Sequence, residues 1–278
     1  MDRLPVRGAA VRELGLPLPP APMPRFRSGR PLKRWRYLGV YTSELMLCVG
    51  NARVGGVPQR WWAIALPNGT LLERTTSRRG GIELALDRAS VDARSARNGE
   101  EVSIELALGE RSPVEVVSPH GRSYIWTAKR APVAVRGRVH VDQRTWELDG
   151  EHGFIDDSGG YHARHTAWRW SAGVGRADDG RRVAWNLVDG VHDAPTASER
   201  TVWVEGEPRE VEPQAFAPDL LRVGGLAFRQ WSVREHSMSL GLVRSRYSQP
   251  FGTFGGELPG GVALAEGYGV MEDHDVTW

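Results

Sequence analysis

Four consecutive ionisable residues near the C-terminus, Glu272-Asp273-His274-Asp275, form the densest proton-handling group in the chain. Tyr268, Val270, Met271 and Trp278 frame them with side chains that prefer burial. A terminus normally carries solvated charge, so this framing predicts a docked segment. Burial beside aromatics shifts pKa values and suits Glu272 and His274 to proton transfer; Asp275 reads as a turn residue. Asp156-Asp157-Ser158-Gly159-Gly160 offers a second candidate acid, Asp157, because adjacent carboxylates at a barrel rim supply a general acid when one pKa is raised. In His162-Ala163-Arg164-His165, a helix would let both histidines share a metal. A strand points them to opposite faces, so no metal site is expected, and His165 is left as a proton acceptor or relay. Asn186 lies inside the apolar run Val183–Val188 and must be hydrogen-bonded if buried; it ties down backbone or orients substrate or water. Glu199, in Ser198-Glu199-Arg200, is either a solvated ion pair with Arg200 or a member of the same site. No nucleophile elbow, phosphate loop or dinucleotide fingerprint is present, and no cofactor is expected.

The elements that must position these residues are strands. Arg34–Tyr41, Glu101–Leu108, Val133–Val141, Ala167–Ser171, Arg182–Val188 and Gly261–Val270 alternate or run apolar, and helical periodicity is scarce. Pro67-Asn68-Gly69, Asp149-Gly150, Asp179-Gly180 and Glu205-Gly206 supply the turns between strands. Many short strands with Gly-containing turns define an all-β barrel or sandwich class. The chain holds 11 tryptophans, which give broad apolar walls for a core or a cavity. Alternation puts Thr166, Trp168 and Trp170 on one face and Val183, Trp185 and Leu187 on another. A faint repeat relates Arg34–Tyr37, Arg60–Leu66 and Asn68-Gly69 to Trp168–Trp170, Arg181–Leu187 and Asp189-Gly190. It predicts two β units with a boundary near residues 138–142.

Composition narrows the partners. With 36 basic and 34 acidic residues the net charge is +2, which argues against nucleic acid, whose binders carry a clustered basic surplus. No apolar run approaches the ~18–20 residues of a membrane span. One cysteine, Cys48, rules out an internal disulfide and fits a cytoplasmic protein; the residue reads as a small buried apolar group. Residues 1–33 are rich in Pro and Arg and read as an extended structural arm.

These residues carry a family resemblance. His162–Gly173, Val183–Gly190, Ser198–Arg200, Gln249–Gly256 and Gly269–Trp278 resemble the motif series of a bacterial family known as a domain of unknown function, DUF2804. Members of that family carry Asp-Trp-Ser-Arg-Gly where this chain has Asp156–Gly160, and Thr-Glu-Asn where it has Ser198-Glu199-Arg200. At fold level the family resembles the carotenoid hydratase and AttH-like group of tandem lipocalin-like proteins. The resemblance implies two antiparallel lipocalin-like barrels, at residues 34–140 and 141–278, the second carrying most motifs. It also implies acid/base chemistry, such as hydration, cyclisation or isomerisation, on a largely apolar terpenoid- or polyketide-type molecule. The candidate catalytic residues are then Glu272, Asp157, His165, His274, Glu199 and Asn186. Trp168, Trp170, Trp185, Tyr268, Phe251 and Phe254 are the expected binding wall. A monomer or homodimer is expected. A non-catalytic carrier of an apolar ligand and a carbohydrate-active protein, for which Trp platforms and paired carboxylates also suit, are the alternatives.

Overall fold

Apolar alternation broken by turns folds this chain almost entirely into antiparallel strands. The structure is a computed structural model and describes residues 4–278 except 79, 97, 98 and 242; residues 1–3 of the arm lie outside the described residues. In chain order the strands are β1 (Val6–Arg7), β2 (Phe26–Arg27), β3 (Arg30–Pro31), β4 (Lys33–Tyr41), β5 (Met46–Val54), β6 (Val57–Ala65), β7 (Leu71–Thr76), β8 (Ile82–Leu84), β9 (Arg88–Arg94), β10 (Glu101–Leu108) and β11 (Val114–His120). Then follow β12 (Ser123–Val141), β13 (Arg144–Gly160), β14 (His165–Ala177), β15 (Arg182–Asp189), β16 (Thr201–Val204), β17 (Glu207–Glu210), β18 (Arg222–Val223), β19 (Leu226–Leu240), β20 (Val243–Leu258) and β21 (Val262–Thr277). Among the described residues no helix is long and apolar enough to cross a membrane.

Two large sheets share one layout. In the first, β4 pairs with β13, so the opening strand is bonded to the closing one; the sheet continues through β5 and β6 to β7, and through β12, β10 and β9 to β8. In the second, β14 pairs with β21, and the sheet continues through β15 and β16 to β17, and through β20 and β19 to β18. The first sheet curls until β8 lies over β5, where Asn51 Nδ2 donates to the Leu84 carbonyl at 3.3 Å. The expected all-β architecture of two barrel-like units in tandem is therefore the one adopted.

Two details differ from expectation. The division expected between residues 140 and 141 falls at the β12–β13 turn, and both of those strands belong to the first sheet. The far half of β13 is the partner of β4, Gly153 opposite Val40 through Gly160 opposite Lys33, so the second sheet begins only at His165. The repeat also slips by a strand. Arg60–Ala65 lies on β6, the third strand of its unit, whereas Arg182–Leu187 lies on β15, the second. The duplicated layout is real, but those matched segments do not occupy equivalent places in it.

Strands where the two barrels meet bury both faces, whereas outer strands such as β10 alternate between buried and exposed residues. One face fills its own barrel: Leu38, Val49, Trp62, Ile104, Val135 and Ile155 in the first, Trp185, Leu187, Phe228, Phe254 and Met271 in the second. The opposite faces pack on each other and form a third core from Tyr37, Tyr41, Cys48, Phe154, Trp170, Trp203, Phe251 and Val270. Each large apolar side chain so buried contributes roughly 1.5–3 kcal/mol. The barrel interiors are thus occupied by packed side chains. The N-terminal arm docks through Val11, Leu18 and Met23 against Tyr124, Trp126, Ala128 and Tyr161.

Candidate functional site between the barrels

The site assembles on the faces that the two barrels turn towards each other. Lys129 and Asp156 are direct partners across β12 and β13. On the second barrel Trp170 is opposite Glu272, and Ala172 is opposite Asn186. Period-two alternation then brings Trp168, Trp170, Asn186, Glu272 and His274 onto one face. Contact across the interface is aromatic around a charged centre: Tyr37 and Phe154 meet the Trp170 ring edge-on at 5.6 and 5.7 Å, and Trp35 stacks on Trp168 at 6.3 Å.

Lys129 Nζ lies 2.7 Å from Asp156 and 3.4 Å from Glu199, joining the two barrels through one buried ammonium. Thr127 and Ser158 hydroxyls donate to Asp156 at 3.3 and 3.0 Å. Asn186 accepts from Trp170 Nε1 at 2.7 Å and donates to the Glu199 carbonyl at 2.9 Å. Glu272 accepts from Trp168 Nε1 at 2.8 Å and from Gln249 Nε2 at 2.9 Å.

Burial sets the protonation states. It raises the Glu272 carboxyl to about 7; hydrogen bonds from Trp168 and Tyr247 oppose the rise, and the Asp156 charge adds to it. Burial likewise raises Glu199, against the pull of Lys129. At Lys129 burial disfavours the ammonium, but Asp156 and Glu199 outweigh it and the net direction is upward. Two carboxyl groups, Asp156 and Glu199, thus share one ammonium, and burial of the third, Glu272, favours its retention of a proton near neutrality. His274 is pushed down to about 4, first by burial; its Nε2 is 2.9 Å from Ser245 Oγ, and its ring packs on Trp168 at 4.4 Å.

The structure sorts the remaining candidates. Asp157 faces away from the cluster, and its two oxygens meet Arg36 Nε at 2.5 Å and Arg130 at 2.9 Å. Both of its oxygens are thus engaged by guanidinium donors. His165 is exposed and pairs with Asp275 at 3.0 Å on the opposite face from Glu272. Glu199 is buried and meets Lys129, not Arg200, which donates instead to the carbonyls of Val211, Asp193 and Ala194. Trp185 and Phe254 pack edge-on at 4.9 Å inside the second barrel, with Trp185 Nε1 bonded to Ser171 Oγ, so neither walls the interface. Trp168, Trp170, Phe251 and Tyr268 do lie on it.

Lys129, Asp156, Gln249, Tyr247, Tyr37 and Tyr41 join the site without having been singled out in the sequence. The available signal was Lys129 itself, a cation inside Tyr124–Ala131, a run otherwise buried up to Lys129. Among the described residues no group of three or more His, Cys, Asp or Glu is arranged to hold a metal. At one end the interface opens into a cleft of about 610 Å³ walled by Tyr41, Trp146, His152, Arg182, Glu266 and Tyr268.

Fold and site together define a tandem two-barrel β protein with a buried carboxyl–lysine cluster at the barrel interface. The chain belongs to the family described as "Domain of unknown function (DUF2804)", whose model matches residues 57–278. No curated protein matches it in sequence. Among solved structures it is similar to a putative AttH from Nitrosomonas europaea, at 13% identity and a TM-score of 0.46 over 87% of this chain and 91% of that one. It is also similar to kievitone hydratase from Nectria haematococca, at 8% identity and a TM-score of 0.41 over 87% and 88% of the two chains. CghA in complex with Sch210972 is similar at 10% identity and a TM-score of 0.39, over 88% of each chain.

Proposed function

We propose that this protein is an enzyme that transfers a proton to a largely apolar small molecule at the interface between its barrels, with Glu272 as the general acid. One observation carries the reading: Glu272 is buried among aromatic rings, is oriented by two N–H donors, and titrates near pH 7. An acid whose pKa matches the working pH can both deliver and recover a proton. In this reading the substrate approaches along the half-buried Trp35–Trp168 stack, where the site meets solvent, and takes the place of the indole N–H on Glu272. Trp168 and Trp170 present flat faces to a substrate that becomes cationic on protonation. Asn186 holds Trp170 and Glu199 in register, and Lys129 offsets part of the rise that burial imposes on Glu199. Hydration, isomerisation and cyclisation all begin with such a transfer.

The second reading, a non-catalytic carrier, is favoured by the interface cleft, since Glu272 is not among its walls. One experiment separates the two. Apolar compounds from a host extract are passed over the protein, and those retained are identified by native mass spectrometry. Turnover is then followed with wild type and Glu272→Gln. The enzyme reading expects capture by both and conversion by wild type alone. Conversion by Glu272→Gln at the wild-type rate removes Glu272 from the mechanism, and capture without conversion by either protein selects the carrier.

A further inference from the structure

The end of the first barrel between β4, β5 and β6 is basic in a way that cross-strand register makes deliberate. Arg36 is directly opposite Asn51, and Asn51 is opposite Arg60, so a polar row crosses three strands. One inward-facing position further along, Arg34 is opposite Arg53, which in turn faces Pro58. These residues share the face that, deeper in, carries Leu38, Val49 and Trp62 of the barrel core. They line a pocket of about 350 Å³ together with Asp157.

Charge in the pocket is unbalanced. Its walls carry Arg34, Arg36, Arg53 and Arg60 against one acid, Asp157, a formal surplus of three where the whole chain has a net charge of only +2. Asp157 is already engaged by Arg36 and by Arg130. Like charges directly opposite each other destabilise a sheet, and Arg34 with Arg53 is such a pair. Guanidinium forks match the two oxygens of a carboxylate or phosphate, and an anion between them turns the repulsion into attraction.

We propose that this pocket binds the carboxylate or phosphate group of a small ligand. Arg34 and Arg53 provide the forks at the rim. Arg60 and Asn51 line the floor, and Asp157 fixes Arg36 in place. The packed barrel core closes the pocket from below, so a ligand held by its head group extends outward. Asp156 and Asp157 point to opposite faces of β13, which separates this pocket from the Glu272 site, and the proposal does not depend on that site's chemistry.

Calorimetric titration of the intact chain tests it, with inorganic phosphate and decanoate as separate probes at low and high sodium chloride. Saturable binding that weakens with salt is expected. The Arg34→Ala/Arg53→Ala variant, with unchanged circular dichroism and melting, should bind at least about tenfold more weakly. Binding of phosphate alone assigns a phosphorylated ligand, and binding of decanoate alone assigns an organic acid. Should the double variant fail to fold, the exposed Arg53→Glu replaces it with the same expectation. No saturable binding of either probe, or a loss smaller than about threefold in the folded variant, overturns the proposal.

Discussion

Glu272 and Lys129 depend on each other's surroundings, and two substitutions expose how. A protonated carboxyl in an apolar setting gives a resolved infrared carbonyl band, so a pH titration of wild type should lose one such band with a midpoint near 7. Glu272→Gln should remove that band; its persistence would assign the proton to Glu199, which burial also raises. Lys129→Met tests the other half of the cluster. It leaves Asp156 and Glu199 buried without their shared cation, and removal of one partner from a buried ion pair costs about 3–5 kcal/mol. Urea unfolding should show that loss. Glu199→Gln in the same chain should restore part of it, because one uncompensated charge is gone. A Lys129→Met protein as stable as wild type would mean the cluster is not electrostatically coupled as described.

At the scale of elements, β14 and β21 decide which aromatic rings belong to a core and which to the site. The Trp185 ring lies across Gly173 on the neighbouring strand, where an added Cβ would collide with the ring and would lie 2.6 Å from the Tyr268 carbonyl. Gly173→Ala should therefore destabilise the protein by about 1–3 kcal/mol, the usual cost of overpacking. Gly255→Ala, where an added Cβ meets no atom within 4 Å, should stay within about 0.5 kcal/mol of wild type. Equal melting temperatures for the two variants would contradict this packing. The same strands show how far the sequence could be read. Alternation correctly separated Trp168 and Trp170 from His165 and Trp185 from Asn186, because side-chain direction is a local property. It did not say which face belongs to a barrel's own core and which to the other barrel, since both are apolar. Trp185 and Phe254 were for that reason expected beside Trp170. Glu272 was legible because its charged neighbours sit in a row. Lys129 and Asp156 were not, because their pairing depends on a register set by the long β12–β13 hairpin. Choosing Asp157 over Asp156 was the same problem at its smallest: adjacent strand residues face opposite ways, and no local signal ranks the faces.

For the whole molecule, acid should open the barrel interface before it melts the sheets. His162 and His192 are held well below their usual value first by burial, and His274 is held at about 4. All of them lie where the barrels meet: His162 packs on Trp35 at 5.0 Å, His192 Nδ1 is 2.8 Å from Ser118 Oγ of the first barrel, and His274 packs on Trp168. Once unfolded, each takes up a proton near pH 6.5. A depressed folded value means that the stability contribution is complete above that pH and is lost as pH falls through it towards the folded value. Glu272 runs the other way: raised to about 7 when folded, it takes up a proton before the unfolded chain does, so its burial becomes less costly as pH falls from about 7 towards 4.5. Glu199 shifts in the same direction. The histidines outnumber these acids, so the urea midpoint should decline as pH drops below about 6.5. In Glu272→Gln the opposing gain is absent, and the decline should be steeper than in wild type between pH 7 and 4.5. Indole fluorescence, through the interfacial Trp35, Trp168 and Trp170, should change at a higher pH than far-ultraviolet circular dichroism. Identical pH slopes for wild type and variant, or fluorescence and dichroism changing together, would show that protonation at the interface is not what destabilises the protein in acid.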